Sequence, residues 1–357
     1  MTQFHPLTII EIRRETPECV SIAFDVPEHL AEQYRFEPGQ NITLKINLGD
    51  EEIRRSYSIC SSPNEKELRV AVKQISGGKF SAHANSLLKP GDVIQVLPPT
   101  GKFNTKIHSV NARHYLAFAA GSGITPVISI IKTIFDTEPN SYFTLVYGNR
   151  SRSSIIFREQ LEAIKNKNMN RFIMHHILSR EQTDAPVNHG RIDMEKCEML
   201  SKYVVDVFRM DHIFLCGPEE MIFSTRDWLL QKNIPKEKIH FELFTVPGEK
   251  VKTTPHQEAS HSNETSKIII KIDGVSVPFN LPYEGATILE GALQLGVDLP
   301  FACKGGVCAT CRAKLTVGEV EMDTNYALEE DEISAGYILT CQSHPRSAVV
   351  QIDFDAK

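Results

Sequence analysis

In the stretch Cys303-Lys304-Gly305-Gly306-Val307-Cys308-Ala309-Thr310-Cys311, three cysteines are separated by four and then two residues, and a fourth, Cys341, follows after twenty-nine more. This C-x4-C-x2-C spacing with a distant fourth thiol is the pattern that ligates a 2Fe-2S cluster. Three ligands on one tight loop surround one side of two irons, and the distant cysteine locks that loop to the body of its domain. The intervening residues are mostly small, so backbone N–H groups can approach the sulfurs. A structural zinc site needs two C-x2-C pairs, or one pair with His partners, and only Cys308–Cys311 qualifies. A redox dithiol at that pair leaves Cys303 and Cys341 without a role. Cys303, Cys308, Cys311 and Cys341 are therefore the expected metal ligands.

Around this loop, residues 267–357 show a strand pair about Asp273-Gly274, a helix near Ile288–Gln294 and a closing strand at 349–354. Upstream, residues 247–266 are rich in Thr, Ser, Pro, His and Glu without apolar period, which reads as a linker. A flexible chain of about twenty residues spans roughly 25 Å. Before it, apolar runs at 115–120, 142–147, 172–178, 213–216 and 240–244 alternate with segments of helical period, as in a parallel sheet flanked by helices. Residues 4–97 instead show short alternating runs, among them 42–46, 57–60 and 68–72, punctuated by Pro38-Gly39, Gly77-Gly78, Pro90-Gly91 and Pro98-Pro99. That pattern implies a small antiparallel β-barrel. The expected organisation is multidomain: a barrel at 1–106, an α/β parallel-sheet domain at 107–246, a linker at 247–266 and an α+β domain at 267–357.

With 41% hydrophobic residues, 24% charged residues and a net charge of −6, the chain has the composition of a globular protein and no basic surplus for a phosphate backbone, so no nucleic-acid partner is expected. The N-terminal Met1-Thr2-Gln3-Phe4-His5-Pro6 does not resemble a secretory signal. The most apolar window, 115–131, is broken by Gly121, Ser122, Gly123, Thr125 and Pro126, so it reads as strand, turn and helix, and no membrane partner is expected. The expected location is cytoplasmic. Cys19, Cys60, Cys197 and Cys216 are scattered and read as reduced thiols. None of the thirteen histidines stands in a pattern that demands catalysis.

Residues 267–357 resemble a plant-type ferredoxin domain, whose fold is a β-grasp. Arg55-Ser56-Tyr57-Ser58 resembles the R-x-Y-S/T signature of the ferredoxin-NADP reductase family, which carries its flavin on an N-terminal barrel; an Arg and a Tyr on an exposed strand face would look the same. The resemblance implies that Arg55 pairs with the flavin pyrophosphate, Tyr57 packs on the isoalloxazine and Ser58 lies near its N5. Lys73 and Gly77-Gly78-Lys79-Phe80-Ser81 fall where that family makes its second flavin-phosphate contact, and a glycine turn opening a helix offers N–H groups to phosphate. Gly121-Ser122-Gly123-Ile124-Thr125-Pro126 joins a strand to a helix, with Thr125 the expected N-cap and Pro126 the expected first helical residue. It lacks the third glycine of the dehydrogenase fingerprint, as the family's own turn does, and it is not a hydrolase nucleophile elbow. Cys216-Gly217-Pro218 matches the family's C-G-P turn, which implies that Cys216 stands beside the nicotinamide; otherwise it is a buried strand-end thiol. Arg150, in Tyr147-Gly148-Asn149-Arg150-Ser151, is positioned to meet a 2′-phosphate, favouring NADPH with NADH possible. Phe244 is a terminal aromatic for the flavin or simply core.

Barrel, nucleotide domain and C-terminal ferredoxin in this order resemble reductase components of bacterial oxygenases. The segments Glu37-Pro38-Gly39-Gln40, Ala302 to Cys311, Met322-Asp323-Thr324-Asn325-Tyr326 and Asp353-Phe354-Asp355-Ala356-Lys357 are similar to the reductase subunits of phenylacetyl-CoA epoxidases. That resemblance implies FAD rather than FMN, a 2Fe-2S cluster, and electrons passed from NAD(P)H to di-iron epoxidase subunits in phenylacetate breakdown. Nicotinamide yields two electrons as hydride and the cluster accepts one, so a flavin is needed between them. The alternatives are a reductase for another di-iron or ring-hydroxylating oxygenase, an iron-sulfur protein without nucleotide turnover, and a self-contained flavin oxidase. Glu319, Glu321, Asp323, Glu329, Glu330, Asp331 and Glu332 read either as solvated surface or as an acidic flank that steers a basic partner.

Overall fold

The computed structural model describes residues 3–244 and 264–356. They divide into two compact units, one made chiefly of residues 6–243 and the other of residues 264–356. The expected linker lies outside the described residues as far as position 263, and its last two residues, Thr265 and Ser266, open a strand.

The first unit begins with β1 (His5–Thr16), β2 (Cys19–Asp25), β3 (Asn41–Leu48), β4 (Glu51–Ser58), β5 (Leu68–Lys73) and β6 (Val93–Val96). They form one sheet in the order β4-β3-β6-β1-β2-β5. Its two edges approach each other through an antiparallel bridge of Ile59 with Val70, and Cys60 N donates to Arg69 O at 2.8 Å. The expected strand at 57–60 is therefore the end of β4 plus this closing bridge. Leu7, Ile22, Ile42, Leu44, Val70 and Val72 fill the interior without solvent exposure. Arg69, also buried, is neutralised by Glu11 and Glu67. After β5 comes α1 (Lys79–Ser86), whose N-cap is Gly78.

In the same unit, β7 (His114–Ala120), β8 (Tyr142–Asn149), β9 (Phe172–Leu178), β10 (His212–Cys216) and β11 (Ile239–Glu242) form a sheet in the order β11-β10-β7-β8-β9, with all four pairings parallel. The helices are α2 (Ile124–Thr137), α3 (Arg158–Lys167), α4 (Met194–Tyr203) and α5 (Glu219–Gln231). Tyr115, Phe118, Phe143, Tyr147, Phe172 and Phe214 are fully buried, each worth ~2–3 kcal/mol. Helix α2 is apolar on most of its surface because it is enclosed on several sides; Ser129 Oγ donates to Ser61 O at 2.6 Å and Thr133 Oγ1 meets Ser62 Oγ at 3.1 Å. The chain runs outward from β7 through β8 to β9, then returns past β7 to lay down β10 and β11. The carboxyl ends of β7 and β10 thus flank the point where strand order reverses, where open α/β sheets bind ligands.

The second unit contains β12 (Thr265–Ile272), β13 (Val275–Pro282), α6 (Ile288–Gln294), β14 (Arg312–Val317), β15 (Val320–Met322), α7 (Glu330–Ser334), β16 (Tyr337–Leu339), β17 (Ser343–Pro345) and β18 (Val349–Asp353). The main sheet has the order β13-β12-β18-β14-β16, with β12 and β18 parallel, and β15 pairs with β17 separately. Asp273 (φ 49°) and Gly274 (φ 77°) make the expected hairpin turn, fastened by the Asp355 carboxylate, which accepts from their N–H groups at 2.8 and 2.9 Å. Thr287 and Glu290 cap α6 reciprocally. With α6 and the short α7 on a mixed sheet, this unit is the β-grasp that was expected.

Candidate cofactor and electron-transfer sites

Residue Ser58 ends β4, and its hydroxyl donates to Glu242 Oε2 at 3.1 Å. Glu242 ends β11 in register with Cys216 at the end of β10, so Ser58 and Cys216, read separately from the sequence, are joined through a carboxyl group. Burial pushes the Glu242 carboxyl up to about 8, with hydrogen bonds from Ser58 and Asn41 acting the other way. Burial, assisted by Glu242, raises the Cys216 thiol well above its ordinary range. At neutral pH the site therefore presents a protonated carboxyl and an uncharged thiol. The sequence reading missed Glu242. Its signal is a lone carboxylate between Phe241 and Leu243 in an apolar strand, and only the register of β10 with β11 gives it meaning.

Backbone clearances at this point are tight. A Cβ on Gly123 would stand 2.0 Å from Cys216 O, and one on Gly217 would stand 2.8 Å from Met221 Cε and 3.1 Å from Ala120 N. Only glycines let the two strand-end turns lie this close, leaving a backbone-lined floor fit for a nucleotide. Gly121 takes φ 54°, and its carbonyl accepts from the Tyr147 hydroxyl at 2.9 Å. The expected cap is corrected here: a short 3-10 turn, Gly121–Gly123, precedes α2, so Gly123 is the N-cap. Thr125 lies inside the first turn, donating to Ser122 O at 3.0 Å, and Pro126 follows it rather than opening the helix. Pro218 is the N-cap of α5.

On the barrel, Tyr57 and Phe80 pack as a tilted pair, 5.4 Å between ring centroids and 34° between planes, and Ser81 Oγ donates to Gly78 O at 3.1 Å while accepting from Ile75 N at 3.2 Å. This bonding secures the Gly77-Gly78 turn at the head of α1. A side chain added at Gly77 (φ 73°) would meet open space, so the turn is clear for a ligand. Lys79 pairs with Glu51, whereas the Lys73 ammonium makes no ion pair among the described residues and lies 3.4 Å from where a Gly121 Cβ would be. Arg55 is exposed and, among the described residues, bonds only to the carbonyl of Arg54, at 2.7 Å. An unpaired guanidinium, an unpaired ammonium and an open glycine turn suit an anionic pyrophosphate. Arg150 and Arg180, exposed at the ends of β8 and β9, adjoin through a 2.9 Å bond from Arg180 N to Arg150 O, and neither has an acidic partner among the described residues. Arg180 adds to Arg150 a second cation that one-strand reading did not supply. Phe244 is 40% exposed.

In the second unit the cysteine loop follows α6. Cys303 faces Cys308 and Cys341, and Cys341 also faces Cys311. Contact with Cys308 and Cys341 depresses the Cys303 thiol, while contact with Cys303 raises Cys308 and Cys341. Gly305 N donates to Cys303 Sγ at 3.3 Å. Among the described residues no three Cys, His, Asp or Glu side chains are grouped to hold a single ion. Four thiols linked by these three thiol–thiol contacts fit a binuclear cluster, in which each iron takes two thiolates. Cys303 and Cys308 are half-buried and Cys311 and Cys341 buried; the remaining four cysteines are buried free thiols. Three of the seven residues of the acidic run are paired: Glu321 with Arg346, Asp323 with His344, and Glu332, itself buried, with Arg312. Glu332 is therefore not the surface charge that its sequence position suggested.

A barrel with an open phosphate turn, a parallel sheet with a nucleotide floor and a β-grasp with four facing thiols together define an oxidoreductase of the flavin and iron-sulfur reductase class. Residues 6–105 match the family described as oxidoreductase FAD-binding domain, 118–227 the oxidoreductase NAD-binding domain, and 270–346 the 2Fe-2S iron-sulfur cluster binding domain. The chain belongs to the family of a 1,2-phenylacetyl-CoA epoxidase component from Escherichia coli K12, to which it is 43% identical over 100% of its own length and 99% of the relative's. It is also 31% identical to the ferredoxin reductase component of the 3-ketosteroid-9-alpha-monooxygenase of Rhodococcus rhodochrous, over 98% of this chain and 96% of that one. Among solved structures, phthalate dioxygenase reductase shares the fold at a TM-score of 0.59 and 24% identity, covering 98% of both chains. Among the described residues no helix is long and apolar enough to cross a membrane.

Proposed function

We propose that this chain passes electrons from NAD(P)H, through FAD and a 2Fe-2S cluster, to the oxygenase component of a multicomponent phenylacetyl-CoA epoxidase in phenylacetate breakdown, in the cytoplasm. The observation that supports the reading is that one chain brings Ser58, Glu242 and Cys216 together at its strand ends, an arrangement suited to a two-electron step, and also holds four facing thiols suited to exchanging electrons singly. A bound flavin supplies the conversion from hydride to single electrons.

Residues 1–106 form the FAD domain in this reading, 107–246 the NAD(P)H domain, 247–266 the linker and 267–357 the ferredoxin domain. Arg55, Lys73 and the N–H groups at Lys79, Phe80 and Ser81, at the turn that Gly78 closes onto Ile75 O, hold the flavin phosphates, and Tyr57 covers the ring. Gly121, Gly123, Thr125, Pro126, Gly217 and Pro218 shape the floor for the nicotinamide dinucleotide. Arg150 and Arg180 favour a 2′-phosphate, and hence NADPH over NADH. Cys216 presents a neutral, water-excluding face where the nicotinamide docks. The Ser58 hydroxyl and the Glu242 carboxyl hold a proton beside the reacting ring, because burial keeps that carboxyl protonated at pH 7. Cys303, Cys308, Cys311 and Cys341 ligate the cluster, with the half-buried pair Cys303 and Cys308 forming its outward side.

Anaerobic titration of the purified protein with NADPH and with NADH, followed by reconstitution with candidate oxygenases, tests the proposal. Bleaching of flavin absorbance, then of the cluster bands, with transfer to the epoxidase is the expected result. Flavin absorbance unmoved by either nucleotide would sink it. Transfer only to another oxygenase would move the assignment to a related system.

A further inference from the structure

The side chain after the fourth cysteine ties the cluster loop together. Gln342 Nε2 donates to Lys304 O at 2.9 Å and to Cys341 O at 2.8 Å, and it lies 3.7 Å from Cys341 Sγ. Its Oε1 accepts from Thr324 Oγ1 at 2.8 Å, so the hydroxyl fixes which end of the amide faces the sulfur. The backbone of Gln342 joins in, because Asp323 N donates to its carbonyl at 2.9 Å. Three segments that are distant in sequence meet on this one amide: the loop at Lys304, the turn at Cys341 and the strand end at Thr324. The packing is close, since a Cβ on Gly306 would stand 3.0 Å from Thr324 O, 3.2 Å from Thr324 Oγ1 and 3.3 Å from Gln342 Cγ. Lys304 itself holds φ 55°, a conformation that a lysine adopts only when its surroundings fix it, and its carbonyl is what the amide grips.

We propose that Gln342, oriented by Thr324, is a positioning residue whose amide N–H on Cys341 O is shared, in a three-centre contact, with the Cys341 sulfur 3.7 Å away, and that it thereby sets the reduction potential of the 2Fe-2S cluster. A donor aimed at a thiolate ligand stabilises the reduced, more negative cluster, so it raises the potential. The amide also clasps the Cys303–Cys308 side of the cradle to the Cys341 side, which slows opening of the loop. The inference rests on the reading that the four cysteines hold the cluster.

The test is redox titration of the full-length holoprotein, followed by electron paramagnetic resonance, with iron and sulfide content measured on every sample. In Gln342→Leu, which keeps the volume and removes the donor, the midpoint shifts to more negative potential, the resonance of the reduced cluster changes, and a chelator strips iron several-fold faster. Thr324→Val gives a smaller shift in the same direction, and Thr324→Ser restores the parent value. Should Gln342→Leu fail to assemble a cluster, the Thr324 pair decides the matter by its potentials alone. An unchanged potential in Thr324→Val, together with an unchanged or clusterless Gln342→Leu, would overturn the proposal. A parent protein without iron and sulfide would instead overturn the ligand assignment on which it stands.

Discussion

A glutamate carboxyl ordinarily titrates near 4.5, and burial pushes Glu242, at the end of β11, up to about 8 against the hydrogen bonds from Ser58 and Asn41. From pH 4.5 to 8 the folded protein keeps a proton that the unfolded chain releases. The resulting stabilisation is fully present below pH 4.5 and is lost as pH rises through 8. At ~1.4 kcal/mol per pKa unit, and with Glu242 only half-buried, this single group contributes at most a few kcal/mol across that window. Replacing it with glutamine keeps the shape and the Ser58 contact but has nothing to titrate. Urea unfolding of the flavin-free protein from pH 5 to 9 should therefore show a fall in stability for the parent that Glu242→Gln lacks, and parallel curves would refute the buried-acid reading. Nothing in residue type marked this glutamate out, whereas Ser58 and Cys216 were legible because each lies in a short motif whose chemistry is local. The partner that links them stands 184 residues beyond Ser58 in the chain and emerges only from strand register.

At the scale of elements, two glycine turns differ in what holds them: the one at Gly123, in the floor proposed for the nucleotide, and the one at Gly77, in the turn proposed for the flavin phosphates. At Gly123 the obstacle is the Cys216 carbonyl, a backbone atom 2.0 Å from the position of an added Cβ, so Gly123→Ala forces the β7 and β10 turns apart. At Gly77 there is open space and only a positive φ of 73° to maintain, so Gly77→Ala costs ~1 kcal/mol of local strain. Gly123→Ala should slow flavin reduction by NADPH at least ~tenfold, equivalent to ~1.4 kcal/mol, while FAD content stays at the parent level. Gly77→Ala should change FAD retention modestly and leave reduction of the retained flavin nearly intact. Stopped-flow absorbance on both variants checks the contrast, and equal rates in Gly123→Ala and parent would show that the close approach has no kinetic role. The strand-turn-helix character of this segment was readable from its glycines and apolar runs. The position of the cap was not, because the 3-10 turn that displaces it depends on the approach of Cys216 from a strand nearly a hundred residues away.

For the whole molecule, the separate cores decide what can be removed independently. The barrel and parallel sheet are packed around Ile22, Leu44, Val70, Phe143, Tyr147 and Phe214, and the β-grasp around Ile268, Ile270, Leu289, Leu339, Val350 and Ile352. The grouping of the four cysteines was the most legible feature of the chain, since three of them lie on nine consecutive residues and need no tertiary knowledge. The order of strands in each sheet was not legible, because pairings such as β12 with β18 join residues some eighty apart. Independent cores mean that loss of one cluster ligand should damage one redox step and spare the other. Cys341→Ser removes the thiol that closes the loop onto its domain, leaving Cys303, Cys308 and Cys311 without their anchor. Oxidation of NADPH by ferricyanide, which can draw electrons from the flavin, should remain within about twofold of the parent, whereas electron delivery to the oxygenase partner should fall by ~100-fold or more, ~2.7 kcal/mol in barrier terms. Parallel loss of both activities would mean that the cluster supports the flavin unit structurally, and undiminished delivery would mean that electrons leave directly from the flavin.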